Sequence, residues 1–219
     1  RADRKAAPKV ERAPSVRTIV RDEADLARLV HRVREVGRYA FDMETDSLDA
    51  LHANLVGIAI GVGPAEGYYI PVGHAAGNPV QLSLETVQAA LQPIFTDPQI
   101  AGYAHHAKYD LAVLGTHGFT LTNLRFETMI AAYLLNETSM RLKDLAFTRL
   151  GREMTEIVQL IGSGRKQLTM DLVDSDEAGD YAAADVEVTF ELAETFRPEI
   201  EAAGMEQLLY EMEQPLVEV

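Results

Sequence analysis

The 219-residue chain contains no cysteine. A disulfide framework, a thiol nucleophile and any Cys-ligated zinc or iron–sulfur centre are therefore excluded. Tryptophan is absent too, and aromatic residues make up only 7%. The longest apolar run, Leu55–Val62, has eight residues, far short of the roughly 20 that cross a bilayer. No membrane partner is expected. The first residues are charged rather than apolar, so no signal peptide is expected either. What is present is ordinary globular material. The chain is 47% hydrophobic and 25% charged, enough for a packed core and incompatible with a disordered, collagen-like or coiled-coil chain.

Positive charge is scarce as well. Twenty basic residues face 34 acidic ones, for a net charge of −14. The imbalance is uneven. Residues 1–22 carry 7 basic and 3 acidic side chains, and 141–166 carry 6 and 3, whereas 171–219 carry 1 basic and 15 acidic. Bulk electrostatics of this sign disfavour non-specific nucleic-acid binding. A local basic surface, or divalent cations neutralising a carboxylate cluster, would reverse that.

Residues 1–15 (RADRKAAPKVERAPS) have no apolar period and read as a linker or tail. Val16–Val20 is a short β-branched lead-in strand. Leu26, Leu29, Val30 and Val33 then recur at helical spacing, with Asp22 as N-cap and Gly37 as stop. Strands are expected over Arg38–Glu44, Asn54–Val62 and Gly67–Val72, the last two joined at a Gly63-Pro64 turn. A helix over Ser83–Phe95 precedes a strand over Gln99–Ala104. A helix from Lys108, stopped by Gly115 and Gly118, leads to a strand at Leu124–Phe126. From about Glu127 the pattern is almost wholly helical: 127–136, 141–150, 154–161, 175–203 with a break at Pro198, and 205–213. This order predicts an α/β mixed sheet with a helical C-terminal part.

Asp42 and Glu44 alternate with Phe41 and Met43 at the end of a strand, which puts both carboxylates on one face. The alternative is a strand ending at Phe41 with two solvated loop acids. Tyr181 and Asp185, four apart, share a helix face, or are a half-buried tyrosine beside a surface acid. Asp110 opens a helix after a strand, a position that dipole compensation alone explains. Taken together, four carboxylates and a tyrosine could form an oxygen cage with open positions for hard divalent cations. Two such ions about 3.5–4 Å apart are the usual device for in-line phosphodiester hydrolysis.

Asp42-x-Glu44 in FDMETDSLD, the segment ending KYD at Asp110, and Tyr181-x-x-x-Asp185 in YAAADVEVT stand in the order and spacing of three exonuclease motifs. From about Val16 onward the sequence resembles the 3′→5′ proofreading exonuclease domains of bacterial DNA polymerase I, the tyrosine-type branch of the DEDD exonucleases. ANLVGIAIG, YYIPVGH, LKDLA and the basic loop before QLT resemble the same family. The resemblance implies a ribonuclease H-like fold: three antiparallel strands, then two parallel ones, flanked by helices. It implies an exonuclease domain over 16–205, with 206–219 opening a polymerase domain of the same parent chain. It implies a metal-dependent 3′→5′ exodeoxyribonuclease acting on a single-stranded DNA 3′ end and releasing 5′-mononucleotides. A monomer in the bacterial cytoplasm, associated with the nucleoid, is expected.

The same resemblance implies the roles of individual residues. Asp42, Glu44 and Asp185 would hold a first cation, and Asp42 with Asp110 a second. Both would be Mg²⁺ or Mn²⁺, with Zn²⁺ also possible at the first site. Tyr181 would orient the attacking water rather than act as a base, since an unperturbed phenol has a pKa near 10. Leu48 would pack on the terminal base, or else is a core leucine. His106 and Lys108 would contact the terminal nucleotide. Arg165 and Lys166, in Gly162-Ser163-Gly164-Arg165-Lys166, would lie near the DNA backbone, or else belong to a plain helix connector. The pattern departs from the family at His105 and His106, where Gln-like and Asn side chains are common. It also departs at Ile157, where an aromatic is usual, and at Ser139, where an Arg is usual and Arg141 stands nearby. His52, His74 and His117 read as surface or structural. Two alternatives share these features: a ribonuclease D-like RNA 3′-exonuclease, and a non-catalytic domain that only positions a polymerase.

Overall fold

The computed structural model describes residues 7, 12–75 and 79–218. Its centre is a six-stranded mixed sheet: β1 (Val16–Ile19), β2 (Arg38–Thr45), β3 (Leu55–Gly63), β4 (Glu66–Pro71), β5 (Ala101–Ala104) and β6 (Leu124–Glu127), in the order β1-β4-β3-β2-β5-β6. β2, β3 and β4 form the expected antiparallel meander, and β5 and β6 continue it in parallel from β2. The lead-in segment adds a sixth strand, since β1 pairs parallel with β4 at the far edge.

Among the described residues, seven α-helices flank the sheet: α1 (Glu23–Val36), α2 (Leu84–Phe95), α3 (Ala107–Thr116), α4 (Thr128–Leu134), α5 (Leu142–Leu150), α6 (Ile157–Ile161) and α7 (Ser175–Ala202). The caps read from sequence hold. Asp22 accepts from the Asp25 N–H at 2.8 Å, Ser83 from the Thr86 N–H at 3.1 Å, and Gly37 closes α1 in the left-handed region at φ 71°. Gly115 and Pro198 do not behave as expected. α3 runs through Gly115 to Thr116 and turns at Gly118, φ 81°. α7 continues past Pro198, because Phe196 and Ile200 are fully buried on either side of it and keep the last turn against the core. The expected 205–213 helix is instead wound as π-type turns over Leu208–Glu213, followed by a 3₁₀ segment over Gln214–Glu218.

Two cores result, one on each side of the sheet. Tyr39, Phe41 and Met43 of β2 pack with α1, α2 and α3. Ala40, on the opposite face, packs with α4, α5 and α7. The close approach of α7 depends on glycine: a Cβ on Gly61 of β3 would lie 2.7 Å from the Val186 carbonyl oxygen. The glycines of GIAIGVG therefore serve helix–sheet packing inside a strand.

Most of the 1–15 stretch lies outside the described residues, but its end is docked rather than free. Arg12 donates to Glu191 and to the Leu150 carbonyl, and Ser15 Oγ donates to Glu187. Glu187, fully buried, also receives Arg17 and Arg152.

Candidate metal-dependent nuclease site

The strand order reverses at β2, with β3 and β4 on one side of it and β5 and β6 on the other, and the site forms at its C-terminal end. Clefts at such switch points are the usual ligand sites of open α/β sheets. Alternation along β2 points Asp42 and Glu44 toward α7, as expected, and the solvated-loop alternative fails: the strand runs to Thr45, and Glu44 is 8% exposed. A register shift between Glu44 and Thr45 bends the strand away just beyond the acids. α7 supplies Asp185, 9% exposed, and Tyr181 one turn earlier. α3 supplies Asp110, 2% exposed, whose Oδ1 accepts from the Met43 N–H at 3.2 Å.

Asp42, Glu44, Tyr181 and Asp185 line one cleft of about 700 Å³, together with Leu48, Tyr109 and Ile157. Asp110 lies behind it, bonded to the backbone between the two β2 acids. Leu48 is 97% exposed, so the core-leucine reading is wrong. Tyr109 holds the loop that carries Leu48: its hydroxyl is bonded to Thr45 Oγ1 and to the Ser47 carbonyl, each at 2.5 Å.

Other expected contacts fall elsewhere. His106 and Lys108 line a separate hollow beside Glu213 and Leu216, and their side chains do not line the acidic cleft. His106 serves as the N-cap residue of α3 at φ 68°, its N–H donating to the buried Glu127 carboxylate at 2.5 Å. His105 is a structural residue bonded to Thr128 Oγ1 and the Met140 carbonyl. Arg165 and Lys166 are exposed on a 3₁₀ turn whose neighbours Gly164 and Gln167 form the cleft rim, while their own side chains do not line it. Arg141 pairs with Glu156, and Ser139 with Asp144. His74 is buried between Tyr69 and the Val173 carbonyl. Lys143 is the site residue that sequence reasoning missed. Its Nζ donates to the Tyr181 hydroxyl at 2.7 Å, and its signal was the LKDLA segment.

The acids resist ionisation. Burial, then the charge of Asp185, raises Asp42 to about 7. Burial, then Asp42 and Asp185, holds Glu44 well above the usual carboxylate range. Burial, then Asp42, does the same for Asp110. Burial raises Asp185 to about 6, with Lys143 and the Tyr181 hydroxyl pulling it back. Tyr181 is raised by burial and by Asp185, so it is protonated. Such a cluster calls for cations. Its donors are all oxygens, as hard divalent ions require, and Asp185 Oδ1 is buried without a hydrogen-bond partner. Among the described residues no group of three or more His, Asp or Glu side chains stands close enough together, as placed, to hold a metal ion. The cleft therefore presents open donors rather than a finished cage.

A mixed sheet sandwiched by helices, with acids converging at the end of its central strand, defines a ribonuclease H-like nuclease fold. Residues 17–201 match the family described as 3′–5′ exonuclease. DNA polymerase I of Chloroflexus aurantiacus is 42% identical over 205 residues, which cover 92% of this chain and 21% of that protein. The chain thus spans about a fifth of the length of that relative. Among solved structures, the polymerase domain of Pol1 from M. smegmatis, complexed with DNA primer-template and dNTP, superposes with a TM-score of 0.69. It is 22% identical, with 92% of this chain and 30% of that one covered. Escherichia coli RNase D, an exoribonuclease, gives a TM-score of 0.62 at 21% identity, covering 87% and 46%. The chain belongs to the 3′–5′ exonuclease domain family of DNA polymerase I. Members of that family are nucleases, and exonucleases of this kind use divalent metal ions.

Proposed function

We propose that this domain hydrolyses the 3′-terminal phosphodiester of single-stranded or frayed DNA, releasing 5′-mononucleotides, and proofreads for a polymerase domain of the same parent chain. The observation that carries the reading is the convergence of Asp42, Glu44 and Asp185 with Tyr181 in one cleft, with Asp110 bonded behind them.

Asp42, Glu44 and Asp185 would hold one divalent cation, and Asp42 with Asp110 a second, Mg²⁺ or Mn²⁺ being the fitting choices. When bound, such a pair supplies a water of lowered pKa and offsets charge on the leaving 3′-oxygen. The chain's own residues do the rest. Tyr181, protonated, donates a hydrogen bond that orients the nucleophile and takes no proton. Leu48, projecting into the cleft, offers the terminal base an apolar surface. Ile157 and Tyr109 add further apolar and aromatic surface to the cleft lining. Arg165 and Lys166 at the rim lie within reach of a trailing phosphate backbone. Residues 206–219 would lead into the polymerase domain.

The test is digestion of 5′-labelled DNA and RNA strands of equal sequence, with Mn²⁺ and with EDTA. The reading requires 3′ shortening of DNA that needs metal and is lost in Asp42→Ala. Faster cutting of RNA would instead support the ribonuclease D-like alternative. No cutting of either strand would leave a domain that only positions a polymerase.

A further inference from the structure

Lys143 lies in the first turn of α5, far from Tyr181 in sequence, yet its Nζ donates to the Tyr181 hydroxyl at 2.7 Å. The same ammonium donates to the Thr155 carbonyl, sits 4.0 Å from the Tyr181 ring centroid and stands 3.9 Å from Asp185 Oδ1. The side chain is only 13% exposed. A solvated surface ion pair does not look like this. Holding an ammonium out of water is costly unless neighbours repay it, and here two neutral oxygens and a nearby carboxylate do so.

The geometry has a directional consequence. A phenol has one O–H proton, and an ammonium has donors but no acceptor. With Lys143 donating into the oxygen, the Tyr181 proton must point away from it. The acids whose charges act most strongly on Tyr181 are Asp185, Glu44 and Asp42, on the cleft side. The 3.9 Å gap to Asp185 matters as well, because it offsets that charge without capping the oxygen, and Asp185 Oδ1 stays open.

We propose that Lys143 is a positioning residue for hydrolysis. Its ammonium fills the acceptor side of the Tyr181 hydroxyl, so that the O–H donates into the cleft. Its charge also steadies the acid cluster while the cations are away. The kinetic part rests on the exonuclease reading; the electrostatic part does not.

The experiment compares wild type, Lys143→Met, Lys143→Arg, Tyr181→Phe and the Lys143→Met/Tyr181→Phe double variant. Rates are measured on a single-stranded DNA 3′ end at saturating Mn²⁺, and thermal unfolding is followed in Mn²⁺ and in EDTA. Lys143→Met is expected to lower kcat by up to about a hundredfold, the scale of a catalytic group displaced by about 1 Å, with KM little changed. Lys143→Arg restores most of the rate. The double variant is no slower than Tyr181→Phe. Lys143→Met lowers Tm more in EDTA than in Mn²⁺, whereas a merely structural lysine would lower both equally. An unchanged kcat in an active enzyme, additive losses in the double variant, or equal Tm losses would each overturn the proposal. Wild type cutting neither DNA nor RNA would count against the exonuclease reading instead, and the EDTA comparison would still decide whether Lys143 serves the acids. If Lys143→Met does not fold, the Lys143→Arg and Lys143→Gln pair decides: both measurements must follow the charge.

Discussion

The Met43 N–H donates to Asp110 Oδ1 at 3.2 Å. Pairing of β5 to β2 ends at Ala40, so Asp110 takes up β2 backbone just beyond the reach of the neighbouring strand. One carboxylate therefore serves both the fold and the acid cluster. Asp110→Asn keeps an acceptor; Asp110→Ala leaves a buried N–H unpaired, at a cost of about 1–3 kcal/mol. Urea unfolding in EDTA should find the Ala variant less stable than the Asn variant by that amount. Metal-dependent hydrolysis should fall in both.

The acid cluster trades stability for function. On top of burial, Asp185 raises Asp42, and Asp42 and Asp185 raise Glu44. Removing one charge should stabilise the chelated domain. Asp185→Asn is expected to gain about 1–3 kcal/mol in EDTA at pH 8, since each unit of upward shift is 1.36 kcal/mol. It should also lose the stabilisation that Mn²⁺ gives wild type. Thermal unfolding of both proteins with and without Mn²⁺ checks this.

His105 sets an acid limit on stability. Burial lowers its pKa to about 4, while the unfolded side chain titrates near 6.5. The unfolded state therefore binds the extra proton first, and stability falls as pH drops from 6.5 toward 4. His105→Gln carries no titrating group. Relative to that variant, wild type should lose about 3 kcal/mol between pH 7 and pH 4, read from denaturant unfolding at each pH.

Gly61 couples packing to the site. A Cβ there would press on the Val186 carbonyl, next to Asp185 in sequence. Gly61→Ala should cost about 1–3 kcal/mol by overpacking and weaken Mn²⁺ binding, measured by calorimetry. An alanine variant with unchanged affinity would show that the α7–sheet spacing does not set the cluster.

Much of this was legible in the sequence, because local rules agreed with the fold. Period-two alternation placed Asp42 and Glu44 on one face, the four-residue spacing paired Tyr181 with Asp185, and Asp22, Ser83 and Gly37 marked their helix ends. What was missed depends on tertiary contacts. Pro198 does not end α7 because buried neighbours hold the turn. Arg12 docks because Glu191 on a distant helix and the Leu150 carbonyl await it. His106 and Lys108 turn from the cleft because Glu127 pins the N-terminus of α3. Lys143 reaches Tyr181 across 38 positions, a pairing no local pattern encodes.

The central claim is that these side chains hold paired divalent ions beside a scissile phosphate. Anomalous diffraction from crystals soaked in Mn²⁺ and a nucleoside monophosphate tests it most directly. The account predicts two manganese peaks about 3.5–4 Å apart, one among Asp42, Glu44 and Asp185 and one between Asp42 and Asp110. Full nucleotide density in the cleft with no manganese at those carboxylates would contradict it.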